Sequence, residues 1–191
     1  MKMPIATTMF LFLLGASLGV SARDWQVVPD QSTLEFTASY QGEAFTGHFK
    51  QFDARIDYDP DDLAKAKFDV KVHLDSVDTQ SRERDQTLTG GDFFDTGKYP
   101  SAHFVTTGFQ RDEDGSVYAH GTLDLHGFRK PVRLNIDFKP SGGGATLDVH
   151  TTLTRLDLAL GSSDDGVAIG KDVPVHAHLP LHSARRWLGP A

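Results

Sequence analysis

Two sets of side chains in this sequence have the types and spacing for chemistry. The first is a mid-chain stretch, Arg84-Asp85-Gln86-Thr87-Leu88, then Asp92-Phe93-Phe94-Asp95, then Lys98-Tyr99-Pro100. Arg82, Arg84 and Lys98 flank its adjacent aromatics. Cations beside bulky apolar rings suit an amphiphile: a phosphate or quinone head needs charge or donors, while its chain leaves water. Arg84 and Asp85 also read as an ion pair that fixes the loop. Phe93 and Phe94 read either as a plug for one end of a barrel or as lining for a ligand chamber.

The second set is a histidine run. His176 and His178 are two apart and so share one face of a strand, with His182 further along. Two imidazoles at that spacing can meet one Zn²⁺ or Cu²⁺, which makes a metal-binding or stress protein the alternative reading. That face is the polar one, however, because Val175, Ala177 and Leu179 take the other. No acid stands at a fixed short offset to complete a site. Hydrolase signatures are missing: there is no Gly-x-Ser-x-Gly, no His-Glu-x-x-His and no phosphate loop between a strand and a helix. Ser162-Ser163-Asp164-Asp165-Gly166 reads as a solvated polar loop, and His126 as a turn residue that bonds backbone. The sequence therefore predicts no catalytic residue, no cofactor and no resident metal.

The elements that must position these residues are strands. Leu34, Phe36, Ala38 and Tyr40 oppose Thr33, Glu35, Thr37 and Ser39, and Phe68, Val70, Val72 and Leu74 oppose Lys67, Asp69, Lys71 and His73. The same alternation runs through Val117 to Leu125, Val132 to Phe138, Leu147 to Leu153 and Val173 to Leu181. Polar-out, apolar-in patterning indicates antiparallel sheet. Compact polar turns at 112–116, 126–130 and 140–144 make successive strands hairpin partners. The apolar parity slips by one between Leu153 and Leu156, which predicts a β-bulge or a break. Helix is scarce: Asp59 to Lys65 has Pro at the first helical position, and Ser81 to Leu88 offers another turn or two.

Composition narrows the class. The first 22 residues read as a cleaved signal peptide, with Lys2 ahead of the apolar run Met9–Val20 and small residues Val20-Ser21-Ala22 before Arg23. The run is too short to span a bilayer. A single exported domain over residues 23–191 follows, not stably inserted in a membrane. Cysteine is absent, so disulfides, thiolate metal sites and a cysteine nucleophile are excluded. The formal charge of −7 becomes −8 on loss of Lys2 and argues against nucleic acid.

About eight strands with one dry face form either a closed up-and-down barrel or a two-sheet sandwich. An eight-stranded barrel can hold one small ligand, and small inward residues such as Ala38, Gly47, Ala119 and Gly121 can leave a slot for it. At this point motifs add a resemblance. Trp25, Val28-Pro29-Asp30, Gly47-His48-Phe49, Ser76-Val77-Asp78-Thr79, Asp92-Phe93-Phe94-Asp95, Lys98-Tyr99-Pro100, Leu123-Asp124-Leu125-His126-Gly127 and Pro131-Val132 resemble the YceI family of periplasmic proteins over nearly the whole mature chain. The resemblance implies an all-β, lipocalin-like antiparallel barrel with one or two short helices. It also implies an apolar cavity for a polyisoprenoid or similar amphipathic lipid, quinone-like molecule or fatty amide, without catalysis. The sequence departs from the family pattern where Arg155-Leu156-Asp157-Leu158-Ala159 replaces Arg-x-Asp-Phe-Gly and where Thr87-Leu88 replaces a His-Leu pair. The expected cavity residues are Phe36, Phe45, Phe49, Leu88, Phe93, Phe94, Phe104 and Leu123, with Arg82, Arg84 and Lys98 at the head group. A homodimer formed through a strand edge is left open.

Overall fold

A computed structural model describes residues 24–163 and 168–184; the expected signal peptide and the 164–166 part of the acidic loop lie outside them. Eleven strands are present among the described residues: β1 (Asp24–Val27), β2 (Thr33–Tyr40), β3 (Glu43–Phe49), β4 (Phe52–Asp57), β5 (Lys67–His73), β6 (Val77–Asp78), β7 (Ser101–Arg111), β8 (Val117–Leu125), β9 (Phe128–Ser141), β10 (Gly144–Thr154) and β11 (Asp172–Ser183). One α-helix, α1 (Arg82–Thr89), lies between β6 and β7.

The pairing runs β1-β4-β5-β7-β8-β9-β10-β11 and returns from β11 to β1, all antiparallel. The sheet is thus a closed eight-strand barrel, and the sandwich is excluded. β2, β3 and β6 extend three of the eight staves: β2 continues β1 along β11, β3 continues β4, and β6 continues β5. The breaks have local causes. Pro29, which lacks an N–H and fixes φ, opens a 3₁₀ turn between β1 and β2. A second 3₁₀ turn, Leu74–Ser76, separates β5 from β6, and Ser76 Oγ accepts from Gln51 N at 3.1 Å to hold the facing break between β3 and β4.

The alternating residues occupy the faces that their parity predicts. One end of the barrel is packed solid by Trp25, Ile56, Tyr58, Phe68, Leu147 and Leu181, with Phe109 and Phe138 against them. Trp25 Nε1 donates to Tyr58 O at 2.8 Å across this plug. Gly47 and Gly121 leave no slot: a Cβ at either would collide with the ring of Phe36 or Phe104, which lies on the bare backbone instead. These two glycines accommodate aromatics, whereas Ala38 borders the hollow part of the interior.

Two local expectations need correction, and a third is resolved. Asp59 to Lys65 forms only a 3₁₀ turn at Leu63–Lys65, because the Asp59 side chain accepts from Asp61 N at 3.0 Å and offers the backbone a turn in place of helix. The parity slip after Leu153 marks a break, the second of the two expected forms: β10 ends at Thr154 and a 3₁₀ turn, Arg155–Leu158, follows. A register shift lies instead in β7, between Thr106 and Gly108. The turn expected at 126–130 is two residues long, with His126 at φ 53° and Gly127 at φ 76°, and β9 starts at once.

Candidate ligand-binding site

The other half of the barrel is hollow. A cavity of about 680 Å³, within the range of small-molecule sites, runs from Ile56 and Phe68 at the plug to Tyr40, Glu83, Arg84 and Thr87 at the opposite end. Its walls are the inward faces of the strands: Val70 and Val72 from β5, Leu134 from β9, Val149 from β10, and Val173, Val175 and Ala177 from β11. Nearly every side chain along its length is aliphatic or aromatic, and the polar residues cluster at the far end.

The roof is built around Thr79, which is buried. Its N–H donates to Asp85 Oδ1 at 2.8 Å and its hydroxyl to the same oxygen at 2.7 Å. Arg84 donates from Nε to Thr79 Oγ1 at 3.1 Å and from Nη2 to Thr79 O at 2.9 Å. Arg84 and Asp85 therefore each hold Thr79, which corrects the expected direct pair between them. Ser81 caps α1, its Oγ accepting from Arg84 N at 3.4 Å. The chain then doubles back: Phe94 N donates to Leu88 O at 2.9 Å and Tyr99 N to Asp95 O at 2.7 Å, with Asp95 at φ 46°. These bonds turn Leu88 and Phe94 inward as a lid.

A second loop completes the roof through Arg155, a buried guanidinium that the sequence reading did not single out as a site residue. It donates to four carbonyls: Nε to Gly170 O at 2.9 Å, Nη1 to Leu160 O and Gly161 O at 2.7 Å each, and Nη2 to Ile169 O at 2.9 Å. One side chain thus gathers Leu160, Gly161, Ile169 and Gly170 at this end of the cavity. Gly161, at φ 59°, donates its N–H to Asp92 O at 2.6 Å and lies against the Phe93 ring, which joins the two halves of the roof. The signal in the sequence was the parity slip, which falls beside Arg155.

All eight expected cavity residues border this space: Phe36, Phe45, Phe49, Leu88, Phe93, Phe94, Phe104 and Leu123. Phe36, Phe49 and Phe94 form a chain of tilted rings with centroids 5.6 and 5.8 Å apart. Of the three expected head-group cations, Arg84 reaches the cavity, with its guanidinium 4.4 Å over the Phe45 ring. Arg82 and Lys98 are exposed and do not border it; the Lys98 ammonium stands 5.0 Å over the Tyr99 ring. Tyr99 in turn packs edge-on to His126, whose Nδ1 is 3.2 Å from Leu158 O.

The histidines lie on the outer face. Asp148 on β10 is the acid that the sequence could not pair with them: its Oδ1 is 2.7 Å from His178 Nδ1 and 3.3 Å from His176 Nε2. Burial pushes the Asp148 carboxyl up, but the hydrogen bonds and charge of both imidazoles outweigh it and leave the carboxyl below its usual range. His150 stacks on His176 with centroids 4.3 Å apart. Among the described residues no three His, Asp or Glu side chains gather into a metal cage.

Comparison with known proteins agrees with this geometry. The YceI-like domain model matches residues 25–181. A UPF0312 protein of Shewanella denitrificans is 34% identical over 129 residues, covering 64% of this chain and 68% of its own. Among solved structures, Burkholderia cenocepacia BcnA superposes with a TM-score of 0.77 at 22% identity, over 81% of this chain and 99% of that one. A polyisoprenoid binding domain from Saccharophagus degradans, implicated in plant cell wall breakdown, superposes with a TM-score of 0.63 at 18% identity, over 85% and 99%. At those identities the likeness carries the fold.

Proposed function

The chain belongs to the YceI-like domain family, and from that footing we propose that it binds an isoprenoid or other amphipathic lipid in the barrel and carries it through the periplasm without chemical change. The observation that carries this reading is the apolar cavity of about 680 Å³, closed at one end by aromatics and bordered at the other by α1, Arg155, Leu160 and Ile169.

The energetics favour a chain-like ligand. Each CH₂ removed from water contributes roughly 0.8 kcal/mol, so a dozen buried carbons supply about 10 kcal/mol gross. Lost translational freedom and chain ordering take back a large share of that. Such a tunnel discriminates weakly between chain lengths, and selectivity falls to the polar groups at its openings. No nucleophile, acid-base pair or metal is part of the proposed action. The work is desolvation and release.

Native mass spectrometry of the protein purified without detergent tests the reading. A stoichiometric extra mass that leaves on organic extraction and matches an isoprenoid or acyl compound is the expected result. A protein that is bare as isolated and takes up neither a prenyl quinone nor a fatty amide overturns it. Fractionation of the source cells, with the protein in the osmotic-shock fluid and lacking residues 1–22, tests the periplasmic location.

A further inference from the structure

The barrel wall has a window. β9 and β10 pair from Ser141↔Gly144 to Asn135↔His150 and then stop, although β9 continues back to Phe128 and β10 continues on to Thr154. Past that point β9 pairs with β8 and β10 with β11. Two contacts frame the gap. Thr151 Oγ1 donates to Arg133 O at 2.8 Å where the ladder ends, and His126 Nδ1 sits 3.2 Å from Leu158 O at the other side. Pro131 stands on the β9 side and brings no N–H to a ladder, as suits a strand edge.

A cleft of about 590 Å³ occupies this gap. Leu123, Val132, Thr151, Leu153 and Leu158 border both the cleft and the apolar cavity, so these residues are the partition between the two spaces. The cleft is polar where the cavity is not: Asn135, Thr152, Thr154, Lys130 and Asp157 line it, together with strand backbone. Arg133 is turned away, its guanidinium 3.8 Å over the Tyr118 ring and 3.3 Å from Asp112. Lys130 and Asp157 bring one charge of each sign. What remains is hydroxyl, amide and unladdered peptide groups, which buried must find partners.

The geometry points to this window as the seat of the ligand's head group: an uncharged head with carbonyl or hydroxyl oxygens lies between β9 and β10 while its chain fills the cavity. Arg84 then walls the far opening, its donors on Thr79 and its plane on Phe45. The inference rests on the lipid-binding reading above.

A farnesyl amide bearing a diazirine in its acyl head, photolysed on the full protein and mapped by peptide mass spectrometry, tests it. Adducts on residues 130–135 and 151–157 are expected. Adducts on α1 or residues 91–99 overturn the window and leave lipid binding standing, whereas failure to take up the probe overturns both. The chain has no cysteine, so Thr152→Cys labelled with a bulky maleimide fills the cleft alone. Affinity for the unmodified farnesyl amide should then fall at least tenfold while the thermal midpoint holds; an unchanged affinity overturns the assignment.

Discussion

Thr79 presents both its N–H and its hydroxyl to one oxygen of Asp85, at 2.8 and 2.7 Å. The Arg84 guanidinium grips the same threonine from the other side. A residue 3% exposed thus ties the start of α1 to the end of β6. Thr79→Val keeps the shape and removes the hydroxyl. A hydrogen bond to a charged group contributes roughly 1.5–3 kcal/mol, so we expect a fall in thermal midpoint of several degrees. Hydrogen exchange should show α1 opening before the barrel does.

Ala159 sits at φ 53°, in the left-handed region, just after the 3₁₀ turn that carries Arg155. An L-residue there costs roughly 1–2 kcal/mol, and glycine gives back part of the gain as unfolded-state entropy. Ala159→Gly should therefore stabilise the protein by about 0.5–1 kcal/mol, read as a higher denaturant midpoint at unchanged slope. A loss of stability would show that the Ala159 methyl packs more than it strains.

Ala177 lines the cavity from β11, with Leu34 and Val149 as its cross-strand partners. Ala177→Phe adds a ring to the hollow without touching the outer face. Lipid affinity should fall roughly tenfold or more, since each displaced CH₂ is worth about 0.8 kcal/mol, while the protein still melts cooperatively. Titration with a fluorescent fatty amide reads the first quantity and calorimetry the second.

Asp148 carries a depressed carboxyl pKa, held down by His178 and His176 against the opposing pull of burial. A group depressed in the folded state contributes stability that is full above its unfolded pKa of about 3.9 and is lost as pH falls through the folded value. Asp148→Asn should flatten the stability profile below about pH 4 and lower the plateau above it. Urea midpoints across that range measure both effects. An unaltered acid limb would show that the histidine pair does not couple to folding.

The strands were legible because parity is local: Leu34 to Tyr40 and Val173 to Leu181 announce their dry faces without knowing their partners. The eight cavity residues followed from that parity and from the aromatic stretch. Ring closure was not legible, since nothing within reach of Trp25 in sequence says that it pairs with Ser183. Thr79 and Arg155 escaped for a related reason. Their partners are backbone carbonyls and a carboxylate that come near only after two loops have folded. The window was silent as well, because Val132 and Leu153 alternate in the same way whether or not their strands are laddered.

The ring is closed by its ends in sequence, Trp25 against Ser183 and Val27 against Leu181. A nascent chain that has everything except β11 is an open sheet with two raw edges, one along β1 and β2 and the other on β10. Closure therefore waits for the last strand to emerge, and folding is committed to a contact of very high sequence separation, the kind that forms slowly. Truncations that remove β11 should leave no partial container behind, only a sticky sheet destined for proteolysis or aggregation.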